Sequence, residues 1–168
     1  NSSNSTLIVW NSIFSACGIG VKAYQATELT IRQTDVFDNG IGILVMDATV
    51  NMTQNNITGN AGFGINLTNA TAYVYRNAIH SNNGSGNGGN LYSDTAINLS
   101  FGQVGNYWGY DSCPAFRTND TNAADVTDNH AFTNFYDTWP WFGDCQEHIE
   151  VDRDLTFSGE MNRTFTVV

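Results

Sequence analysis

The chain is expected to be all-β, a parallel solenoid of about four to five coils followed by a C-terminal cap and an extended β tail. Three observations carry that expectation. A unit of about 22 residues recurs along the chain. Apolar residues within each unit alternate with polar ones, which is the period of a strand. The composition of the 168 residues favours turns and strands over helices. Asparagine is as numerous as all the charged residues together, glycine numbers 16 and proline 2, while Lys, Glu and Leu are scarce.

The repeat can be followed unit by unit. Asn11-Ser-Ile13-Phe-Ser-Ala16 returns as Thr34-Asp-Val36-Phe-Asp-Asn39, as Asn55-Asn-Ile57-Thr-Gly-Asn60 and as Asn77-Ala-Ile79-His-Ser-Asn82. Its apolar positions, Ile13, Val36, Ile57 and Ile79, each begin a short strand. A second marker, Gly18-Ile-Gly20, Gly40-Ile-Gly42 and Gly62-Phe-Gly64, opens an alternating strand carried by Val21 and Ala23, Ile43 and Val45, and Ile65 and Leu67. A third, Ala26-Thr27, Ala48-Thr49 and Ala70-Thr71, precedes Leu29 and Ile31, Val50 and Met52, and Ala72 and Val74. Three short strands per unit, joined by turns, describe one coil, and coils stack at about 4.8 Å. Asn39, Asn60 and Asn82 fall at one corner, where asparagine tolerates left-handed backbone and its amide can bond along the stack. The Gly/Asn run from Ser81 to Asn90 lengthens a corner of the last coil.

Charge narrows the partners. Sixteen acidic and 6 basic side chains leave a net charge of −10. Only Lys22 and five scattered arginines are available, so neither nucleic acid nor an anionic membrane surface is an expected partner. No apolar run of about 18 residues is present, so no membrane-inserted helix is expected. The chain begins without Met or a signal peptide, as a processed product or a segment of a longer chain would.

Asparagine also falls in the pattern Asn-x-Ser/Thr, at Asn1, Asn4, Asn51, Asn56, Asn66, Asn69, Asn83, Asn98, Asn119 and Asn162. That is more than the Ser and Thr content would produce by chance, and it points to N-glycans on an extracellular or cell-surface protein. Turns rich in Asn and Thr would also generate such patterns without modification.

Residues 110–148 form the expected cap. Phe132, Phe135, Tyr136, Trp139, Trp141 and Phe142 crowd together before Cys145. They suit a cover for the open solenoid end, and less well a sugar-stacking platform. A Cys113–Cys145 disulfide would tie this segment, leaving Cys17 over, buried or paired between chains, although three pairings exist. Residues 149–168 form the tail. Ile149, Val151, Leu155, Phe157, Met161, Phe165 and Val167 all occupy odd positions, interrupted by Arg153, Gly159 and Arg163. Fully extended, this tail spans about 60–65 Å against a solenoid only about 20–25 Å tall. It therefore folds as a hairpin around Ser158-Gly-Glu160 or leaves to add a strand to another subunit.

The Asn-x-Ile-x-x-Asn…Gly-Ile-x-Leu pattern resembles the right-handed parallel β-helix repeat of pectin-lyase-like and surface β-helix proteins. Asn106-Tyr-Trp-Gly109, followed by Cys113-Pro114, is similar to the segment that often follows the last coil in such proteins. The resemblance covers roughly residues 7–114 and implies a right-handed coil over residues 1–109. The family's hydrolases carry adjacent Asp-Asp, His-Gly and Arg-x-Lys, strings that this chain lacks.

Other chemistry is sparse. Lys22, Arg32 and Arg76 fall on different coils, with Arg32 near Asp35 and Asp38. His80, His130 and His148 lie far apart with no nucleophile motif beside them. Asp120, Asp125 and Asp128 sit in a stretch rich in oxygen ligands for Ca²⁺, but without the spacing and glycine of a calcium loop, and no cofactor is expected. The sequence therefore points to a non-catalytic, glycosylated structural subunit whose partners are copies of itself, joined head to tail. The alternative is a carbohydrate-binding or carbohydrate-modifying module, or a segment of a long adhesin stalk.

Overall fold

The computed structural model describes residues 6–25, 28–83, 89–95, 97, 99–101, 104–109, 121–122, 128 and 131. Each coil contributes three strands. They are β1 (Thr6–Trp10), β2 (Ile13–Ser15) and β3 (Ile19–Tyr24), then β4 (Glu28–Arg32), β5 (Asp35–Phe37) and β6 (Ile41–Met46). The third coil holds β7 (Thr49–Thr53), β8 (Asn56–Thr58) and β9 (Ile65–Thr68), and the fourth β10 (Thr71–Tyr75), β11 (Ala78–His80) and β12 (Leu91–Ser93). A short β13 (Thr121–Asn122) pairs with β12. Equivalent strands pair in parallel into three sheets, ordered β1-β4-β7-β10, β2-β5-β8-β11 and β3-β6-β9-β12-β13. Among the described residues there is no helix, and the chain is a parallel β-solenoid of about four turns.

The period of two decides what lies inside. Leu29 pairs with Val50, Ile31 with Met52, Val36 with Ile57 and Ile43 with Ile65, and all of these are fully buried. Burying one such side chain stabilises the fold by about 1.5–3 kcal/mol, so the stacked aliphatic rows are the main driving force. The first coil departs from the expected alignment. Ile13 pairs with Asp35 and points outward, 69% exposed, while Phe14 pairs with Val36 and continues the inner row. The repeat marker there is shifted by one residue, which moves every side chain of a strand to its other face.

Eleven corners, all three of coils one to three and the first two of coil four, each turn on one left-handed residue. Asn11, Gln33, Gln54 and Arg76 turn the first corner, Ala16, Asp38, Gly59 and Ser81 the second, and Gln25, Asp47 and Asn69 the third, all with φ between 47° and 65°. Asn39, Asn60 and Asn82 are therefore not the left-handed residues expected of them; each directly follows one and is turned inward. There they form the expected ladder. Asn39 Nδ2 donates to Asn60 Oδ1 at 3.0 Å, and Asn60 Nδ2 to Asn82 Oδ1 at 2.8 Å. The backbone N–H of each is taken by the same oxygen one coil on, at 3.0 and 3.1 Å. Buried corner amides would otherwise lack acceptors, so the ladder removes a cost of about 1–3 kcal/mol per group.

The glycine columns follow from this ladder. A Cβ on Gly42 would stand 2.9 Å from Asn60 Nδ2 and 2.4 Å from Gly64 O, and one on Gly64 would stand 2.5 Å from Asn82 Nδ2. The asparagine amide fills the space that a side chain would need. In the last coil the column ends in Asn90, whose carbonyl accepts from Ile65 N as that of Gly64 accepts from Ile43 N. Its own Oδ1 takes the two Asn82 donors that no further coil receives.

A second ladder occupies the first corner. Thr34 N donates to Asn55 Oδ1, Asn55 to Asn77, and Asn77 to Asn106, at 2.9–3.1 Å. It ends on the buried carboxylate of Asp128, whose Oδ2 accepts from Asn106 N at 2.7 Å, Asn106 Nδ2 at 3.1 Å and Trp108 Nε1 at 2.9 Å. An acceptor-only group suits the end of a chain of donors. Each residue of Asn106-Tyr-Trp-Gly109 thus has a structural position. Trp108 packs in the core, Tyr107 pairs with Ala78, and Gly109 has φ +91° with His80 Cβ only 2.9 Å from where its own Cβ would be.

Candidate functional site

The most distinctive surface is the first coil. β1, β2 and β3 each end their sheet, so among the described residues all three have a strand edge with no partner. The inner rows reach the surface here. Leu7, in register with fully buried Leu29, is 47% exposed, and Ile8, Trp10 and Ile13 beside it are more exposed still. Ser12 and Cys17 take the ladder positions of this coil. Ser12 Oγ donates to Trp10 O as Thr34 Oγ1 does to Arg32 O, and Cys17 N donates to Asn39 Oδ1 at 3.0 Å. Cys17 is exposed and a free thiol. It is thus not a buried thiol, one of the two expectations, and its distance of 22 residues from Asn39 marks its ladder position. The 22 residues from Asn106 to Asp128 likewise carried the ladder's end.

Five sequon asparagines fall on described residues. Asn51, Asn56 and Asn66 lie within strands, Asn56 as the first residue of β8, half-buried, with core residues Met52, Ile57 and Leu67 at the middle of each sequon. Strand alternation therefore generates Asn-x-Thr by itself, because both polar residues face out and x faces in. The Oδ1 of each is buried without a hydrogen bond. Asn69 and Asn83 are exposed. At its corner Asn69 donates from Nδ2 to Asp47 Oδ1 at 2.7 Å and from its backbone N–H to Asp94 Oδ1 at 2.8 Å. Asn1, Asn4, Asn98, Asn119 and Asn162 lie outside the described residues, as do Cys113, Cys145, the aromatic cluster and the 149–168 strand.

The flank of the last coil carries aromatics. Tyr73 is 48% and Phe101 65% exposed, and the Phe101 ring lies 5.4 Å from that of Tyr75. Beside Tyr73 a cavity of about 310 Å³ is lined by Asn69, Thr71, Thr95 and Ile97 among others. The basic residues do not converge on it. Arg32 lies 5.0 Å from the centre of the Trp10 ring, a cation–π contact in place of the expected approach to Asp35 or Asp38. His80 is half-buried edge-on to Tyr107, with Nδ1 3.1 Å from Ser81 Oγ, and burial lowers its pKa. Among the described residues no three His, Cys, Asp or Glu side chains form a metal-binding group. Asp128 is engaged as the ladder's terminal acceptor, and Asp120 and Asp125 lie outside the described residues.

Searches of curated proteins and of solved structures return no match. A family model described as a right handed beta helix region matches residues 1–138, most of the chain, and this protein belongs to that family.

Proposed function

We propose that this chain is a non-catalytic, N-glycosylated structural protein of the cell surface or exterior, a subunit of a fibre or surface assembly whose copies join head to tail by strand addition. One observation carries the proposal: among the described residues the first coil presents three strand edges together with Leu7, Ile8, Trp10 and Ile13. Covering one such side chain is worth about 1.5–3 kcal/mol, and edges of this kind template the addition of further strands. Charge supports a polar, head-to-tail arrangement. All sixteen acidic residues lie at Glu28 or beyond, and eleven of them fall in residues 110–168. Two C-terminal regions would repel one another, whereas the acid-free first coil, with Lys22, would not repel either. Contacts between unlike surfaces of this kind build filaments when the rotation does not close.

Sedimentation velocity and negative-stain imaging of the purified glycosylated protein test this reading. Filaments or ordered oligomers are expected, and dispersed monomers at all concentrations would overturn it. Intact mass before and after deglycosylation reports the glycans directly.

The carbohydrate-binding alternative is favoured by one observation, the exposed Tyr73 lining a cavity on the last coil. Sugars stack on such rings through their apolar faces. Glycan-array binding that Tyr73→Ala abolishes would replace the structural reading with this one.

A further inference from the structure

We infer that the cavity beside Tyr73 is the seat of the protein's own sugar: the first pyranose of an N-glycan on Asn69, laid against the Tyr73 ring. The inference rests on the glycosylation part of the reading above and specifies where one glycan goes.

The attachment point is a wall of the cavity. Asn69, Thr71 and Tyr73 line it together, with Thr95 and Ile97 from the chain beyond β12. Asn69-Ala70-Thr71 is a sequon whose two polar residues are both exposed. Its acceptor is held in place. Asp94 Oδ1 accepts from the Asn69 backbone N–H at 2.8 Å, and Asp47 Oδ1 accepts from Nδ2 at 2.7 Å. An amide nitrogen carries two hydrogens, so one can be replaced while the other stays on Asp47. In attachment, Nδ2 bonds to the anomeric carbon of a lipid-linked sugar donor. The bond from that carbon to the lipid pyrophosphate breaks, and one Nδ2 proton is lost.

The walls fit a sugar ring. Tyr73 stands on the outer row of β10, two residues and about 6–7 Å along the strand from Thr71, and is 48% exposed. Its ring offers a face to the apolar C–H side of a pyranose. Thr95 Oγ1 donates to Ala70 O at 3.1 Å, which fastens that wall to the sequon itself. The volume of about 310 Å³ lies at the low end of ligand cavities, about 300–1,000 Å³, and suits a ring or two rather than a long chain. Asn51, in register with Tyr73 one coil back, is a poorer source of the sugar: it is not among the lining residues and its Oδ1 is buried. A sugar tethered at the wall has a high effective concentration there, so a contact too weak to capture a free sugar still holds an attached one. The exposed Tyr73 then serves the protein's own glycan rather than a foreign carbohydrate.

The experiment uses the full-length chain made in a eukaryotic host. A peptide N-glycosidase is added to the native protein, and release is followed site by site by peptide mass spectrometry. Tyr73→Ala is expected to speed release at Asn69 about 2–10-fold and Tyr73→Phe to leave it unchanged, with the other occupied sequons keeping their rates in both. Release at Asn69 that is no faster in Tyr73→Ala overturns the seat, and so does Tyr73→Phe behaving like Tyr73→Ala. Faster release at every sequon alike reports a loosened fold and overturns it too. An unoccupied Asn69 overturns the seat while glycans at other sequons keep the glycosylation reading. A chain with no glycan at any sequon overturns both.

Discussion

Asn60 hands its side-chain N–H to Asn82 Oδ1 at 2.8 Å while its own Oδ1 receives two donors from Asn39, one from the backbone and one from the side chain, each at 3.0 Å. It also donates to Val36 O and Thr58 O. One side chain thus satisfies groups in three successive coils. Asn60→Ala is expected to destabilise the fold by about 3–5 kcal/mol, because several buried polar groups lose partners together. Urea denaturation followed by tyrosine and tryptophan fluorescence measures it. A loss under about 1 kcal/mol would mean that the corner does not depend on the ladder.

The glycine columns make a paired prediction. Gly42→Ala drives a methyl against Gly64 O and Asn60, whereas a Cβ at Gly18 has nothing within 4 Å. The first substitution is expected to cost about 1–3 kcal/mol or more and the second less than about 0.5 kcal/mol. Thermal melts of the two proteins side by side check the contrast, and equal effects would refute the close-approach explanation.

Asp128 closes the ladder of the first corner with three donors on one oxygen. Asp128→Ala removes the acceptor shared by Trp108 Nε1, Asn106 N–H and Asn106 Nδ2, of which Nδ2 keeps Val74 O and Leu99 O, with an expected loss of about 2–4 kcal/mol. Trp108 is buried beside it, so fluorescence should shift to the red as this end loosens. A variant with native stability and spectrum would remove Asp128 from this position.

His80 gives a pH prediction. Burial lowers its pKa below the ordinary 6.5, so the unfolded chain takes up a proton before the folded chain does. The stabilisation is fully present above pH 6.5, is lost as the pH falls through that value, and stops changing below the folded-state pKa. Melting temperatures between about pH 7.5 and 5.5 are expected to fall less in His80→Gln than in the unmodified protein. Parallel curves for the two would refute it.

Sequon occupancy follows exposure. In a host that attaches N-glycans, Asn69 is expected to be modified, since it sits on an exposed corner with Thr71 exposed two residues on. Glycopeptide mass spectrometry reads this site, and Asn69→Gln should lower the intact mass by one glycan. An unmodified Asn69 beside occupied in-strand Asn51 or Asn66 would reverse the expected order.

The sequence by itself determined the coil. A unit of about 22 residues with alternating Leu29 and Ile31, Val50 and Met52, or Ile65 and Leu67 has few other ways to bury its apolar face, so the three-sheet architecture was legible without coordinates. So was the Asn39–Asn60–Asn82 ladder, because asparagines in register one coil apart meet by construction. Only the tertiary structure decided which residue at each corner is left-handed, since Asp38, Gly59 and Ser81 share no side-chain signature. It also decided that Phe14 rather than Ile13 faces the core, a one-residue choice between two apolar neighbours that only strand register resolves. The ends of the ladders were hidden for a related reason. Ser12, Cys17, Asn90 and Asp128 break the asparagine pattern where stacking stops. Their roles come from what lies on one side of them alone, which a repeat read along the chain does not show.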